Sequence, residues 1–195
     1  MANLIAIMGE SGSGKTTSLR NLDPSTTYIF DADKKGLSWR GWKAQYNEAN
    51  HNYASMDDNA LILDRLRFIN ANPKLAHIKT VVIDTVNGVM VADEYARKDT
   101  KGYDKWADLA WAVWGIVDYA LTMRDDLTVV FLAHSQTERD ESGALFTRIK
   151  TSGKKLDKLV LESKFTTVLN AKVINGEYVF VTRDPNSTAK APMGL

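Results

Sequence analysis

Short, continuous apolar runs separated by longer amphipathic stretches set the rhythm of this chain. Leu4-Ile5-Ala6-Ile7-Met8, Thr27-Tyr28-Ile29-Phe30-Asp31, Thr80-Val81-Val82-Ile83-Asp84 and Leu127 to Ala133 are runs of the kind found in strands buried on both faces. Tyr53 to Ser55 reads as a further short strand. Near the C-terminus the pattern changes. Phe165 to Ile174 alternates, Asn175-Gly176 is a strong hairpin turn, and Tyr178 to Thr182 returns as its partner.

Helical patterns fill the intervals. Thr17 to Leu22 continues as helix and ends before Asp23-Pro24. Asp57-Asp58 opens a helix with apolar positions Leu61, Leu63, Leu66, Phe68 and Ile69, closing near Asn72-Pro73. Asn87 to Arg97 is helical. Tyr103-Asp104 opens a longer helix to about Met123. Trp106, Ala110, Val113, Val117, Ala120 and Leu121 share one of its faces, and Trp111 and Trp114 widen it. Lys34 to Tyr46 reads as loop with a short helix, and its Trp39 and Trp42 suit base stacking or plain loop packing equally. Residues 135–162 are polar and basic without clear periodicity, and the tail from Asp184 to Leu195 reads as irregular. Together these predict one α/β domain over 1–195: a mainly parallel central sheet, helices on both faces, and a C-terminal antiparallel hairpin.

Chemistry concentrates at the first strand's end. Gly9-Glu10-Ser11-Gly12-Ser13-Gly14-Lys15-Thr16 matches G-x-x-x-x-G-K-[ST], the phosphate-binding P-loop. Glycines let successive N–H groups converge on an anion, and the following helix adds its positive end. Gly9 to Thr17 is therefore the expected nucleotide cradle. Lys15 reaches the β- and γ-phosphates, and the Thr16 hydroxyl ligates Mg²⁺. The second Mg²⁺ group is expected to end a hydrophobic strand next to the P-loop strand. Asp84 fits, the alternative being a helix-capping aspartate. Asp31-Ala32-Asp33 follows the second strand and can orient the attacking water, with Asp33 preferred over Asp31. Otherwise Asp33 merely caps a helix starting at Lys34. His134, after Val129 to Ala133, is placed to meet the γ-phosphate or to serve as a satisfied structural histidine.

Composition narrows the setting. The 195 residues suffice to bury roughly 70% of the unfolded surface in one domain. No apolar run approaches the ~20 residues of a membrane span, and no signal-type leader is apparent. Cysteine is absent, which fits a reducing, cytoplasmic setting. Net charge is +1, so any nucleic-acid surface must be local. The basic run Arg148 to Lys158 is such a candidate, or simply a solvated face. No N-K-x-D motif for guanine appears, which favours ATP.

With the P-loop, Asp31-Ala32-Asp33, Val82-Ile83-Asp84-Thr85 and Leu132-Ala133-His134, the motif order resembles the RecA-type recombinase core. More narrowly the chain resembles the core-only RecA-like ATPases of phages, grouped with AAA-type ATP-binding phage proteins of the single-strand annealing and recombination kind. Lys154-Lys155-Leu156, the strand Phe165 to Val173 and Thr188 to Gly194 carry that narrower likeness. The resemblance implies a catalytic role for Asp33 at the family's glutamate position, one methylene (about 1.5 Å) shorter, and hence slow or DNA-dependent turnover. It implies a sensor role for His134. It implies two loops binding single-stranded DNA, roughly Arg97 to Lys105 and Gln136 to Lys155. Arg97, Lys98, Lys101, Arg139, Arg148, Lys150, Lys154 and Lys155 would supply the charge there. It implies a homo-oligomeric ring or filament in which Lys190 or Arg183 touches a neighbour's γ-phosphate, with a single-strand-binding protein as a further partner and the host cytoplasm as location. A P-loop starting at Gly9 leaves no room for the recombinases' N-terminal oligomerisation segment, so assembly is expected to use other contacts.

Three functional readings follow. The first is an ATP- and Mg²⁺-dependent protein binding single-stranded DNA. The second is a small nucleotide kinase, against which stand the hairpin and the want of an arginine-rich lid. The third is a nucleotide-gated accessory protein in phage replication with negligible turnover.

Overall fold

A computed structural model describes residues 1–98, 104–139, 143–151 and 160–194, and of 104–112 the backbone alone. The apolar runs become strands: β1 (Asn3–Gly9), β2 (Thr27–Asp31), β3 (Tyr53–Ala54), β4 (Thr80–Asp84) and β5 (Thr128–Arg139). β6 (Leu145–Ile149), β7 (Thr167–Ile174) and β8 (Glu177–Val181) follow. The sheet order is β3-β2-β4-β5-β1-β7-β8. Neighbours from β3 to β7 are parallel, and β8 runs antiparallel to β7 at the edge. Asn175 and Gly176 turn the hairpin with φ of 53° and 83°, the left-handed pair that a two-residue turn of this twist requires.

One strand behaves differently from its sequence pattern. β5 does not stop at Ala133 but runs on to Arg139 and pairs antiparallel with β6. The segment expected to be a loop from Gln136 is thus a β-hairpin as far as Ile149. Its β5 half beyond His134 is polar, while its β6 half returns to bury Ile149 in the larger core cluster, and this mixture shows no regular apolar alternation. A second difference concerns neighbours. β4 is not beside β1; β5 lies between them.

The helices are α1 (Lys15–Ser18), α2 (Trp42–Gln45), α3 (Asn59–Ala71), α4 (Val86–Ala96) and α5 (Asp104–Thr122). Alternate strand residues divide the core. Leu4, Ala6, Phe30, Ile83, Val129 and Phe131 face the larger cluster, which α3, α4 and α5 cover. Ile7, Ile29, Val82 and Leu132 face a smaller one, closed by Leu19, Leu37, Tyr46 and the partly buried Trp39 and Trp42. The long helices therefore all lie on one face. Among the described residues the other carries only α1, its 3₁₀ continuation Leu19–Asn21 and the 31–46 segment.

In α3 the buried stripe is Ile62, Leu66 and Ile69, while Leu61 and Phe68 are exposed. The four–three spacing from Ile62 sets the face, which the simple count of apolar residues obscures. Asp58 caps this helix through the N–H groups of Ala60 and Leu61. In α5, Val113, Ile116, Val117 and Ala120 are buried and Leu121 packs beside them. Trp114 is partly buried with the Lys164 ammonium over its ring at 4.6 Å. Trp106, Ala110 and Trp111 fall among the side chains outside the described set.

The tail forms no helix or strand, yet it is tied down. The N–H groups of Val168 and Lys190 donate to each other's carbonyls, and Thr188 N–H donates to Thr147. The buried Glu162 carboxylate accepts from Ile149 N–H at 2.7 Å and from the Thr188 hydroxyl at 3.1 Å. This locks the base of the β5–β6 hairpin to the tail.

Candidate functional site

β1 ends at Gly9 in the middle of the sheet, level with His134 on β5 and Ala171 on β7. The chain can turn there only as glycine: a Cβ on Gly9 would lie 2.6 Å from the Ala171 carbonyl oxygen. Gly12 and Gly14 hold φ of 81° and 89°, which L side chains rarely adopt. Lys15 Nζ donates to the carbonyls of Gly9 and Glu10, both at 2.8 Å, spanning the loop's concavity. Its pKa is lowered, chiefly by burial and further by Lys35, against the pull of Asp84. The helix behind the loop is only one turn of α before it tightens to 3₁₀. The anion-binding character therefore rests on the loop's own N–H groups more than on a long helix's dipole.

The expected metal pair is brought together. The Thr16 hydroxyl donates to Asp84 Oδ2 at 2.7 Å. Thr85, not Asp84, caps α4, through Gly88 N–H. That leaves the Asp84 carboxylate for the site. Its other oxygen, Oδ1, is buried without a hydrogen-bond partner, as is Ser13 Oγ in the loop. An orphaned carboxylate oxygen beside a threonine hydroxyl is a hard-oxygen donor set that suits Mg²⁺. The Asp84 pKa is pushed up to about 6 by burial and by Asp33 and Asp31, while Thr16 and Lys35 oppose the rise.

The two aspartates after β2 part company. Asp31 ends the strand, buried, with Oδ2 accepting from Gly36 N–H at 2.7 Å and the Tyr53 hydroxyl at 2.8 Å. Asp33 lies in the turn beyond, so the two do not share a strand face. No helix starts at Lys34, whose φ is 54°, and the capping alternative for Asp33 falls away. Asp33 Oδ1 accepts from the Thr85 hydroxyl at 2.8 Å and Oδ2 from Lys35 at 2.5 Å. Burial raises its pKa, but the hydrogen bonds from Lys35 and Thr85 outweigh this and leave it lowered. Both partners line the cavity described next. Gly88 permits the approach: a Cβ there would lie 2.5 Å from the Ala32 carbonyl oxygen and 2.8 Å from Asp33 Oδ1.

His134 is half-buried, and its pKa is lowered by burial and then by the Lys15 ammonium. Both influences favour the neutral ring over the imidazolium. Its backbone is gripped from two sides. His134 N–H donates to Asn87 Oδ1 at 2.7 Å, and its carbonyl accepts from Lys150 N–H at 2.7 Å.

A cavity of about 730 Å³ opens over the loop, lined by Ser11 to Ser18, Lys35, Ser38, Thr85 and His134. Arg20, Asn21, Tyr178, Val179 and Phe180 complete the lining. The sequence pattern missed Tyr178, Val179 and Phe180 because nothing in it says that β7, which carries β8, is the strand beside β1. Trp39 and Trp42 are not part of the lining. They pack instead on Tyr46 and Tyr53, with ring centroids 6.0 and 5.2 Å apart.

Among the described residues, the basic side chains expected to meet DNA do not line the cavity. Arg97 pairs with Asp93 at the end of α4, and Lys98 sits over the Tyr95 ring at 4.7 Å. Arg139, Arg148 and Lys150 lie on or beside the β5–β6 hairpin. Arg139 donates to the Gly143 carbonyl, and Arg148 pairs with Glu138 at 3.2 Å. Lys101, Lys154 and Lys155 lie outside the described residues. Arg183 and Lys190 are exposed, and neither lines the chain's own cavity.

A parallel sheet with a glycine-walled anion loop at its centre, a buried carboxylate two strands away and a histidine on the strand between them defines a P-loop ATPase core. A family model described as an AAA domain matches residues 1–192, and the chain belongs to that family. No curated protein matches it. Among the described residues no helix is long and apolar enough to cross a membrane.

Proposed function

We propose that this ATPase binds ATP with Mg²⁺, hydrolyses it slowly, and binds single-stranded DNA in phage recombination or strand annealing. The observation that carries the reading is the continuity of β5. One strand holds His134 at the phosphate loop and runs without a break into the hairpin bearing Arg139 and Arg148, with Lys150 at its return. A γ-phosphate that shifts His134 thereby bears on a basic element designed for a polyanion.

The residues divide the work. Backbone N–H groups from Ser11 to Thr16 and the Lys15 ammonium bind the phosphates. Thr16 and Asp84 would hold Mg²⁺, which neutralises charge on the β- and γ-oxygens. Asp33 orients a water, and its short side chain, engaged by Thr85 and Lys35, keeps turnover slow. The same engagement favours a second reading, an accessory protein gated by bound ATP with negligible turnover. Assembly into a homo-oligomer with Lys190 or Arg183 acting on a neighbour's nucleotide, a single-strand-binding partner, and a cytoplasmic location belong to the same proposal.

Fluorescence anisotropy of a labelled oligonucleotide tests it. Binding that weakens with salt and strengthens with ATP·Mg²⁺ is expected; no binding at low salt overturns the DNA reading. ATPase activity titrated with single-stranded DNA separates the two readings, since only the first expects a rise.

A further inference from the structure

We propose that the exposed face of β8 is the seat of the nucleotide's base, with a purine ring stacked on Tyr178 and flanked by Phe180. The inference rests on reading the cavity as a nucleotide site and goes on to assign its other half.

The lining falls into two chemical sets. Ser11 to Thr17, Lys35, Thr85 and His134 are small, cationic or polar and suit a polyphosphate. Tyr178, Val179 and Phe180, with Arg20, Asn21 and Ser38 beside them, form an aromatic wall with polar flanks. A flat, apolar-faced ring with polar edges is the ligand such a set takes. No other aromatic side chain lines the cavity among the described residues. Trp39 and Trp42 are spent on the smaller core.

Tyr178 is joined to the phosphate loop itself. A Cβ on Gly14 would lie 2.8 Å from Tyr178 Cδ1, so the ring rests on the backbone of the residue before Lys15. Yet Tyr178 as a residue is 69% exposed, and Phe180 is 43% exposed. Two residues apart on one strand, they share a face and lie about 7 Å from each other. β8 is the sheet's last strand, paired only with β7 among the described residues, so this face is open to a ligand entering over the loop. The Asn21 amide offers a donor and an acceptor together, the complement of a purine's edge. Base-on-aromatic stacking is sequence-tolerant and strong enough to matter.

Calorimetric titration with ATP·Mg²⁺ and, separately, with inorganic tripolyphosphate·Mg²⁺ tests the assignment on the whole chain. Tyr178→Ala should weaken ATP binding by about tenfold or more while leaving tripolyphosphate affinity as in the unsubstituted protein. Tyr178→Phe should restore ATP affinity, and Phe180→Ala should show a smaller loss confined to ATP. Undiminished ATP binding in Tyr178→Ala overturns the proposal. So does an equal loss for both ligands, which would make the ring a mere prop for the loop. A shift in sedimentation without a change in ATP affinity would also overturn it, because the ring would then cover a second copy. If the unsubstituted protein takes up neither ligand, the nucleotide reading itself fails; uptake of both with no effect at Tyr178 sinks the base platform alone.

Discussion

Asn87 holds His134 by the main chain: its side-chain Oδ1 accepts from the His134 N–H at 2.7 Å, while its Nδ2 donates to the Lys150 carbonyl at 2.8 Å. One buried amide on α4 thus clamps β5 to the returning end of the β5–β6 hairpin. α4 itself starts directly after Asp84 and Thr85. The three elements that would have to move together are tied at one side chain.

Removing that tie leaves a backbone N–H and a carbonyl without their partner, a loss on the order of 1–3 kcal/mol. Asn87→Ala is expected to retain ATP affinity but to bring the ratio of DNA affinity with and without ATP towards one. Anisotropy titrations in both nucleotide states measure that ratio. An unchanged ratio would mean that the clamp is structural only.

Lys15→Ala removes the cation that spans the phosphate loop. Charge-assisted hydrogen bonds of this kind are each worth about 1.5–3 kcal/mol, so ATP affinity should fall by one to two orders of magnitude. The fold should survive at reduced stability, because Lys15 lies outside both core clusters and the Glu10 carbonyl it releases belongs to an exposed residue. Calorimetry and a melting curve on the same sample check both halves.

Asp84 gives a pH signature. Its folded-state pKa of about 6 lies above the ordinary 3.8, with burial the leading cause. A raised carboxyl stabilises the fold fully below its unfolded value, and that contribution is lost as pH rises through the folded one. By about pH 7 the loss is on the order of 3 kcal/mol, and a cation at the carboxylate offsets it. The melting temperature of the protein without nucleotide, compared with Asp84→Asn, should therefore fall between about pH 4 and pH 7. ATP·Mg²⁺ should raise it more at pH 7 than at pH 5. A difference that is flat with pH would contradict the assignment.

Much of this was legible in the residues themselves, for identifiable reasons. β1, β2 and β4 are continuous apolar runs that only a doubly covered strand explains, and the phosphate loop's glycines carry conformational demands written into their identity. Asp84 follows from being the first charge after such a run. What stayed hidden depended on lateral order. Neither β5 lying between β4 and β1, nor β7 lying on β1's far side, leaves a mark on local periodicity, so Tyr178 and Phe180 read as plain hairpin residues. Likewise the hairpin after His134 carries no regular apolar alternation, because among its described residues only Ile149, at its base, enters the core.

Asp33 separates the two functional readings by substitution. Asp33→Asn keeps the shape and the Thr85 contact but removes the charge that polarises a water, so turnover should drop by about 10²–10³-fold with ATP affinity little changed. Asp33→Glu restores the missing methylene and should raise the rate above that of the unsubstituted protein. Single-turnover hydrolysis reports both. Activity untouched by Asp33→Asn would remove this residue from the reaction.

Gly88 makes the positioning of Asp33 testable from a distance. It lies on α4 outside the cavity lining, yet a single methyl there meets the Ala32 carbonyl oxygen at 2.5 Å and Asp33 Oδ1 at 2.8 Å. Backbone cannot yield as a flexible side chain would, so α4 and the Asp33 turn must separate. Overpacking of this kind costs about 1–3 kcal/mol, or a melting temperature lower by about 2–10 °C in a domain of this size. The turn carries Asp33 away from Thr85 as it shifts. Gly88→Ala is therefore expected to lower turnover at saturating ATP while leaving ATP affinity within about twofold, because Lys15, Thr16 and the loop N–H groups are untouched. A variant that melts lower but hydrolyses normally would show that the Asp33 turn tolerates displacement, and that its contact with Thr85 does not set the rate.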